Sequence, residues 1–213
     1  MDERYINLII DRPELFKNID GGIEIITDEK LILDVERKYN TSIGIAYEDE
    51  YLILLKDAVR FNDGVIGPYI RAYHKNSGGV AILVICDGKI LLINHFRHSL
   101  RRWIWETPRG FGECGQSAEQ NVARELSEEI GVVATRIEKL GNLVPDAGII
   151  GETINLYCAH ITPNSKIMID KHEGIKTTSF FTKEQLKEAI LNGEIIDGIT
   201  IASLTYAELK GLI

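Results

Sequence analysis

Two apolar runs, residues 80–86 and 89–94, meet at Asp87-Gly88, and an Asp-Gly pair between such runs is the strongest short-range signal for a two-residue β-hairpin. That hairpin starts a sheet, and the segments after it decide how the sheet is covered. Residues 103–106 read as a short strand, after which a loop with Gly110, Gly112 and Gly115 leads into a helix predicted over 118–130. Ser117 and Gln120 have capping-box spacing at its start, and Gly131 stands where a left-handed residue would end it. Further strands are predicted over 154–160 and 176–181. A helix over 183–191 begins at Thr182 with Gln185 in the same capping spacing and closes at Gly193, and 199–209 forms a last helix. Strands and helices mixed in this order predict an α/β domain, a mixed sheet with helices packed on it.

Upstream the texture changes. Residues 74–79 are the most linker-like stretch of the chain, and a boundary there divides a unit of residues 1–75 from one of residues 76–213. Before it, residues 42–47, 51–56 and 65–73 read as strands, broken by Glu48-Asp49-Glu50 and by Asn62-Asp63-Gly64, while the charged stretch 28–39 is ambiguous. A small β-rich unit of this kind has little core of its own. It is expected to pack against the rest of the chain or against a second copy.

A length of 213 residues suffices to bury about 70% of the extended chain's surface, so neither a disulfide nor a structural metal is needed to complete a core. The 24 Lys plus Arg against 32 Asp plus Glu leave a formal charge of −8, with no basic stretch to meet phosphates or an anionic membrane. Neither nucleic acid nor a membrane is an expected partner. Cys86, Cys114 and Cys158 are an odd number without CxxC spacing, which predicts free thiols in a reducing compartment. The N-terminus lacks a basic segment followed by an apolar one, and the longest apolar run, 80–86, is too short to span a bilayer, so a cytoplasmic location is expected.

The chemistry concentrates on the helix over 118–130. At about 100° per residue, with Glu125 at zero, Glu128 falls near 300° and Glu129 near 40°, so the carboxylates share one arc. Val122, Ala123, Leu126 and Ile130 centre near 115° and face the sheet. Like charges at i, i+3 and i, i+4 oppose a helix by roughly 0.2–0.5 kcal/mol per pair, a cost that a hard cation removes. Oxygen donors of this kind favour Mg²⁺, with Mn²⁺ as its substitute. Taken alone, the same glutamates are also an ordinary solvated helix face.

The longer string decides between these. Gly110, Gln116, Arg124-Glu125-Leu126, Glu128-Glu129 and Gly131-Val132 resemble the Nudix box, G-x5-E-x7-R-E-U-x-E-E-x-G-U with U apolar, and depart from it only at Gln116, where the pattern has its first Glu. The resemblance implies an α/β/α sandwich and cleavage, with divalent metal, of a nucleoside diphosphate linked to another group. By position it makes Glu125 and Glu129 the principal metal ligands, Glu128 a third or outer ligand, and Arg124 the residue that orients the carboxylates. It also implies a metal contact from the backbone carbonyl of Arg109. Gln116 keeps the shape of the missing Glu and one acceptor oxygen but loses its charge.

The resemblance continues outside the box. His95-Phe96-Arg97 and Trp105-Glu106-Thr107-Pro108-Arg109-Gly110 are similar to the Q-Y-R and W-E-x-P-A-G segments of ADP-ribose pyrophosphatases, which also carry an N-terminal β-domain and dimerise. This implies a homodimer and substrate contacts from Arg97, a permanent forked cation, and Glu106. Glu152 has the spacing of the glutamate that meets the terminal ribose, but Ala147 replaces the subfamily's marker proline, so the class of nucleotide sugar is implied more firmly than ADP-ribose itself. Glu173 resembles the mobile-loop glutamate that acts as base or metal contact. The five histidines, His74, His95, His98, His160 and His172, have no regular metal-ligand spacing, and His95 reads as a strand-end packing residue. The expected function is Mg²⁺-dependent hydrolysis of a nucleoside diphosphate sugar to nucleoside monophosphate and sugar phosphate, with Glu173, or failing that Glu128, accepting the proton of the attacking water. The rival reading is a catalytically impaired nucleotide-binding or regulatory protein on the same scaffold, with Gln116 as the mark of decay.

Overall fold

The computed structural model describes residues 2–75, 79–113 and 115–213, the Lys171 side chain excepted; the linker-like residues 76–78 and Cys114 lie outside the described residues. The chain divides into two compact units, one of Met1–Lys75 with Asp146–Glu152 and one of Asn76–Pro145 with Thr153–Ile213.

The first unit is built on an antiparallel sheet in which β1 (Glu24–Ile25) and β2 (Gly44–Glu48) share one edge of β3 (Leu52–Arg60), and β4 (Ile66–His74) takes the other. It also contains two helices, α1 (Glu3–Asp11) and α2 (Glu29–Tyr39). The stretch read as ambiguous is thus helical: Asp28 accepts from the Leu31 N–H at its start, and Asn40 ends it in the left-handed region at φ 49°. Ile32 and Val35 of α2 pack with Ile26, Ile43 and Ala58, while Tyr5 of α1 packs with Phe16, Ile53 and Leu55. Alternate residues of β3 therefore serve two small cores. The segment 146–152 joins this unit through Ala72, whose N–H donates to Ile149 O at 2.7 Å and whose carbonyl accepts from the Gly151 N–H at 3.0 Å.

The second unit is an α/β/α sandwich. Its sheet runs β11 (Ile175–Phe181), β6 (Lys89–Arg97), β5 (Val80–Cys86), β10 (Ile154–His160), β9 (Arg136–Leu143), with β5 and β10 parallel and the other pairs antiparallel. The predicted hairpin forms, with Asp87 and Gly88 both at positive φ as its two-residue turn requires. Period-two alternation sorts the β5 side chains: Val80, Ile82 and Val84 meet Val122, Leu126 and Ile130 of α3 (Ala118–Ile130). Ala81, Leu83 and Ile85 meet Leu186 and Ala189 of α4 (Lys183–Leu191) and Leu204 and Ala207 of α5 (Gly198–Leu209) on the other face. Each large side chain so buried stabilises the unit by roughly 1.5–3 kcal/mol.

β5 and β6 pair only beside their turn, Val84–Cys86 with Lys89–Leu91, and then part. Two short strands fill the gap: β7 (Arg102–Glu106) pairs with the outer half of β6, and β8 (Arg109–Gly110) pairs with the start of β5. This splay positions the candidate site. Among the described residues no helix is long and apolar enough to cross a membrane.

Candidate active site

The predicted capping box at the start of α3 is complete: Ser117 Oγ accepts from the Gln120 N–H at 3.2 Å, and Gln120 Oε1 accepts from the Ser117 N–H at 2.7 Å. With its start held and Gly131 in the left-handed region at its end, α3 presents its carboxylates in a defined register. They face a cleft of about 360 Å³ lined by His95, Arg97, Arg109, Gly110, Phe111, Gly112, Glu113, Arg124, Glu125, Glu128, Glu129 and Glu173. That volume lies within the range of small-molecule sites.

Glu125 and Glu129 are buried, at 7% and 3% exposure, although both are ionisable. Glycine at position 110 makes this possible, since a Cβ there would run into the Glu125 carboxylate. Arg124 crosses the mouth of the loop, with Nη2 2.6 Å from Glu125 Oε1 and 2.7 Å from the Phe111 carbonyl, and Nη1 2.6 Å from Glu128 Oε2. Glu129 Oε2 accepts from the Arg109 N–H at 3.2 Å. Burial, with Glu125 and Glu106 as charged neighbours, pushes the Glu129 carboxyl up to about 8. Burial also raises that of Glu125, against the pull of Arg124.

The other side of the cleft is electrostatically complete. Glu106 of β7 is fully buried, and His95 Nδ1 and Arg97 Nη2 lie 2.9 and 2.5 Å from its Oε1 while Arg109 Nη2 lies 2.9 Å from its Oε2. Burial alone would raise this carboxyl, but the His95 hydrogen bond and the Arg109 and Arg97 charges outweigh it and hold the pKa below the usual value. Arg109 is fixed from its other end by Asp197, 3.1 Å away. The fit to a hard divalent cation rests on this contrast: the carboxylates of Glu125 and Glu129 line the cleft beside a glycine, and burial raises both carboxyls, a cost that the charge of a cation would offset.

The cleft thus gathers Arg97, Arg109, Arg124, Glu125, Glu128, Glu129 and Glu173, the last from the turn before β11, with Glu106 beneath them. Glu152 belongs to the first unit, where its carboxylate binds the His74 ring at 2.9 Å and accepts from the His74 N–H. Gln116 is exposed and does not line the cleft; its side-chain amide donates to Glu113. Sequence reasoning passed over Glu113, Asp197 and His95, which was read as packing and instead both lines the cleft and meets Glu106. It also passed over Asn121, a buried α3 residue whose side-chain oxygen accepts from the Glu113 N–H at 3.1 Å. The α3-facing register of Asn121 was the available signal.

Comparison with known proteins bears on this geometry. Residues 75–200 match the family model described as NUDIX domain. The chain is 30% identical over 143 residues to the ADP-ribose pyrophosphatase of Bacillus subtilis (strain 168), covering 66% of this chain and 77% of that protein. It is 29% identical over 154 residues to the ADP-ribose pyrophosphatase of Mycobacterium tuberculosis (strain ATCC 25618 / H37Rv), covering 71% and 73%. A solved structure titled as that of an ADP compounds hydrolase matches with a TM-score of 0.67 at 17% identity, covering 80% of this chain and 93% of the other, a likeness of fold. The box on α3 and its glycine loop lie within the matched region, and with more than half the chain inside the family model, the protein belongs to the Nudix family.

Proposed function

We propose that the protein is a Mg²⁺-dependent pyrophosphohydrolase of nucleoside diphosphate sugars, ADP-ribose foremost, releasing nucleoside monophosphate and sugar phosphate. One observation carries the reading: buried carboxylates whose pKa values burial raises, Glu125 and Glu129, share a cleft with the guanidinium of Arg97. Glu125 and Glu129, with Glu128 and the Arg109 carbonyl, would hold the ion. Bound there, Mg²⁺ or Mn²⁺ supplies charge against the diphosphate and acidity to water.

The chain's own residues do the rest. Arg97 meets phosphate oxygens through a fork held rigid by Glu106, so the contribution of Glu106 to substrate binding runs through the arginines it anchors. Arg124 keeps Glu125 and Glu128 apart and oriented. Glu173, exposed on its turn, accepts the proton of the attacking water, a task that falls to Glu128 in its absence. The ribose role of Glu152 rests on its spacing, and Glu152→Gln should raise KM for ADP-ribose with kcat little changed. Gln116 supports activity over decay, because the missing charge falls on an exposed loop residue bonded to Glu113 and outside the cleft lining.

The test is release of monophosphate from ADP-ribose and other nucleotide sugars with and without Mg²⁺. Turnover only with metal, abolished in Glu129→Gln, is the expected result. Tight nucleotide binding without turnover under Mg²⁺ or Mn²⁺ would instead establish a binding protein. Light scattering on the same sample tests the homodimer.

A further inference from the structure

On the sheet face opposite α3, Cys158 and His160 stand two residues apart on β10 and so point the same way, and Glu138 of β9 is the register partner of Cys158. Cys158 Sγ lies 3.7 Å from His160 Nε2, which lies 3.5 Å from Glu138 Oε1, and the three atoms are within 4.8 Å of one another. As hydrogen bonds these are weak or absent, and Glu138 Oε1 is a buried atom without a hydrogen-bond partner among the described residues. The 3.7 and 3.5 Å separations are instead close to edges of a tetrahedron: with Zn–S of about 2.3 Å and Zn–N or Zn–O of about 2.0–2.1 Å, ligand atoms stand about 3.5 Å apart for sulfur to nitrogen and about 3.3 Å for nitrogen to oxygen.

The surroundings hold each donor in place. Arg136 Nη2 binds the other Glu138 oxygen at 2.7 Å, which turns Oε1 toward His160. Thr135 donates its N–H and hydroxyl to the His160 carbonyl at 2.7 and 3.1 Å. Cys158 is fully buried, while the Glu138 and His160 side chains are 25% and 29% exposed, so the open side of the cluster faces solvent. We propose that Glu138, Cys158 and His160 form a zinc site, with the fourth position left to water. One thiolate, one imidazole and one carboxylate select a thiophilic divalent ion over Mg²⁺, so the site is chemically distinct from the α3 cleft. Binding sends the Cys158 thiol proton to buffer and ties the edge strand β9 to β10.

The test is titration of Co²⁺, then Zn²⁺, into the metal-free full-length chain carrying Glu129→Gln, so that the α3 carboxylates compete less. One equivalent of Co²⁺ should bind with a sulfur-to-metal charge-transfer band that Zn²⁺ abolishes. Adding Cys158→Ser should remove the band. Adding His160→Gln or Glu138→Gln, half-exposed positions whose folding circular dichroism checks, should weaken Zn²⁺ binding more than about tenfold. A missing band, a band that survives Cys158→Ser, or Zn²⁺ affinity unmoved in both half-exposed variants would overturn the proposal, the last also where Cys158→Ser fails to fold.

Discussion

Two buried carboxylates at the cleft, Glu129 in its lining and Glu106 beneath it, have opposite fates. Glu106, on the β7–β8 side, is enclosed by His95, Arg97 and Arg109 and holds its charge more firmly than a carboxylate in water. Glu129, on the α3 side, is buried with Glu125, Glu106 and Glu173 as charged neighbours that outweigh Arg97, and holds its proton up to about pH 8. Burial is common to both, so burial does not set the charge; the neighbours do. The β7–β8 side is finished by the chain itself, and the α3 side is the one that the proposed cation would complete.

This contrast can be broken at several points. The largest expected effect is that of Glu129→Gln, which should lower kcat about a thousandfold, roughly 4 kcal/mol of transition-state stabilisation, with an unchanged circular dichroism spectrum. Near-normal turnover would mean that α3 does not hold the ion. Next, Glu106→Gln strands two guanidinium groups against a buried amide and should cost about 3 kcal/mol or more in urea denaturation, and raise KM as Arg97 loosens. A loss confined to activity would show that Glu106 is no anchor.

The two sides should also respond to pH with opposite sign. For Glu129 the folded pKa lies above the unfolded one, so its contribution to stability is complete below about pH 4.5 and is lost as pH rises through about 8. For Glu106 the folded pKa lies below, so its contribution is present above the unfolded value and is lost on acidification. Metal-free protein should therefore melt at a lower temperature at pH 9 than at pH 6.5, and Mg²⁺ should recover the difference. A melting temperature indifferent to Mg²⁺ at pH 9 would remove the α3 side from metal binding. The smallest effect belongs to Gln116→Glu, where an exposed charge beside Glu113 should change kcat/KM less than about threefold; restoration of a silent protein to full turnover would reverse that expectation.

What the sequence disclosed follows the range over which its signals act. The hairpin at Asp87-Gly88, the capped helix over 118–130 and the carboxylate arc on it depend on neighbours within a turn or two, and each is where it was expected. The helix α1, the two-residue strands β1 and β8, and the strand β9 were not read. β9 is an edge strand with Gly141 in its interior, where a Cβ would come within 2.6 Å of the Tyr206 ring, so its pairing with β10 is decided by packing on α5 rather than by local preference. Long-range assembly hid two further groups. Glu106 could be noticed in its W-E-x-P motif, but its enclosure by His95 and Arg97 of β6 and Arg109 of β8 exists only after β7 and β8 enter the sheet. Cys158, His160 and Glu138 have no ligand-like spacing along the chain because β9 and β10 bring them together side by side.

The parting of β5 and β6 has a consequence for how such a protein can change. Because Glu106 and Arg109 arrive on the short strands β7 and β8, inserted where β5 and β6 part, the turn at positions 98–101 can lengthen or shorten and re-aim the cationic lining while the helix-backed middle of the sheet keeps its alignment. On the proposed reading, selectivity for what is attached to the diphosphate would then be free to drift without disturbing the α3 carboxylates.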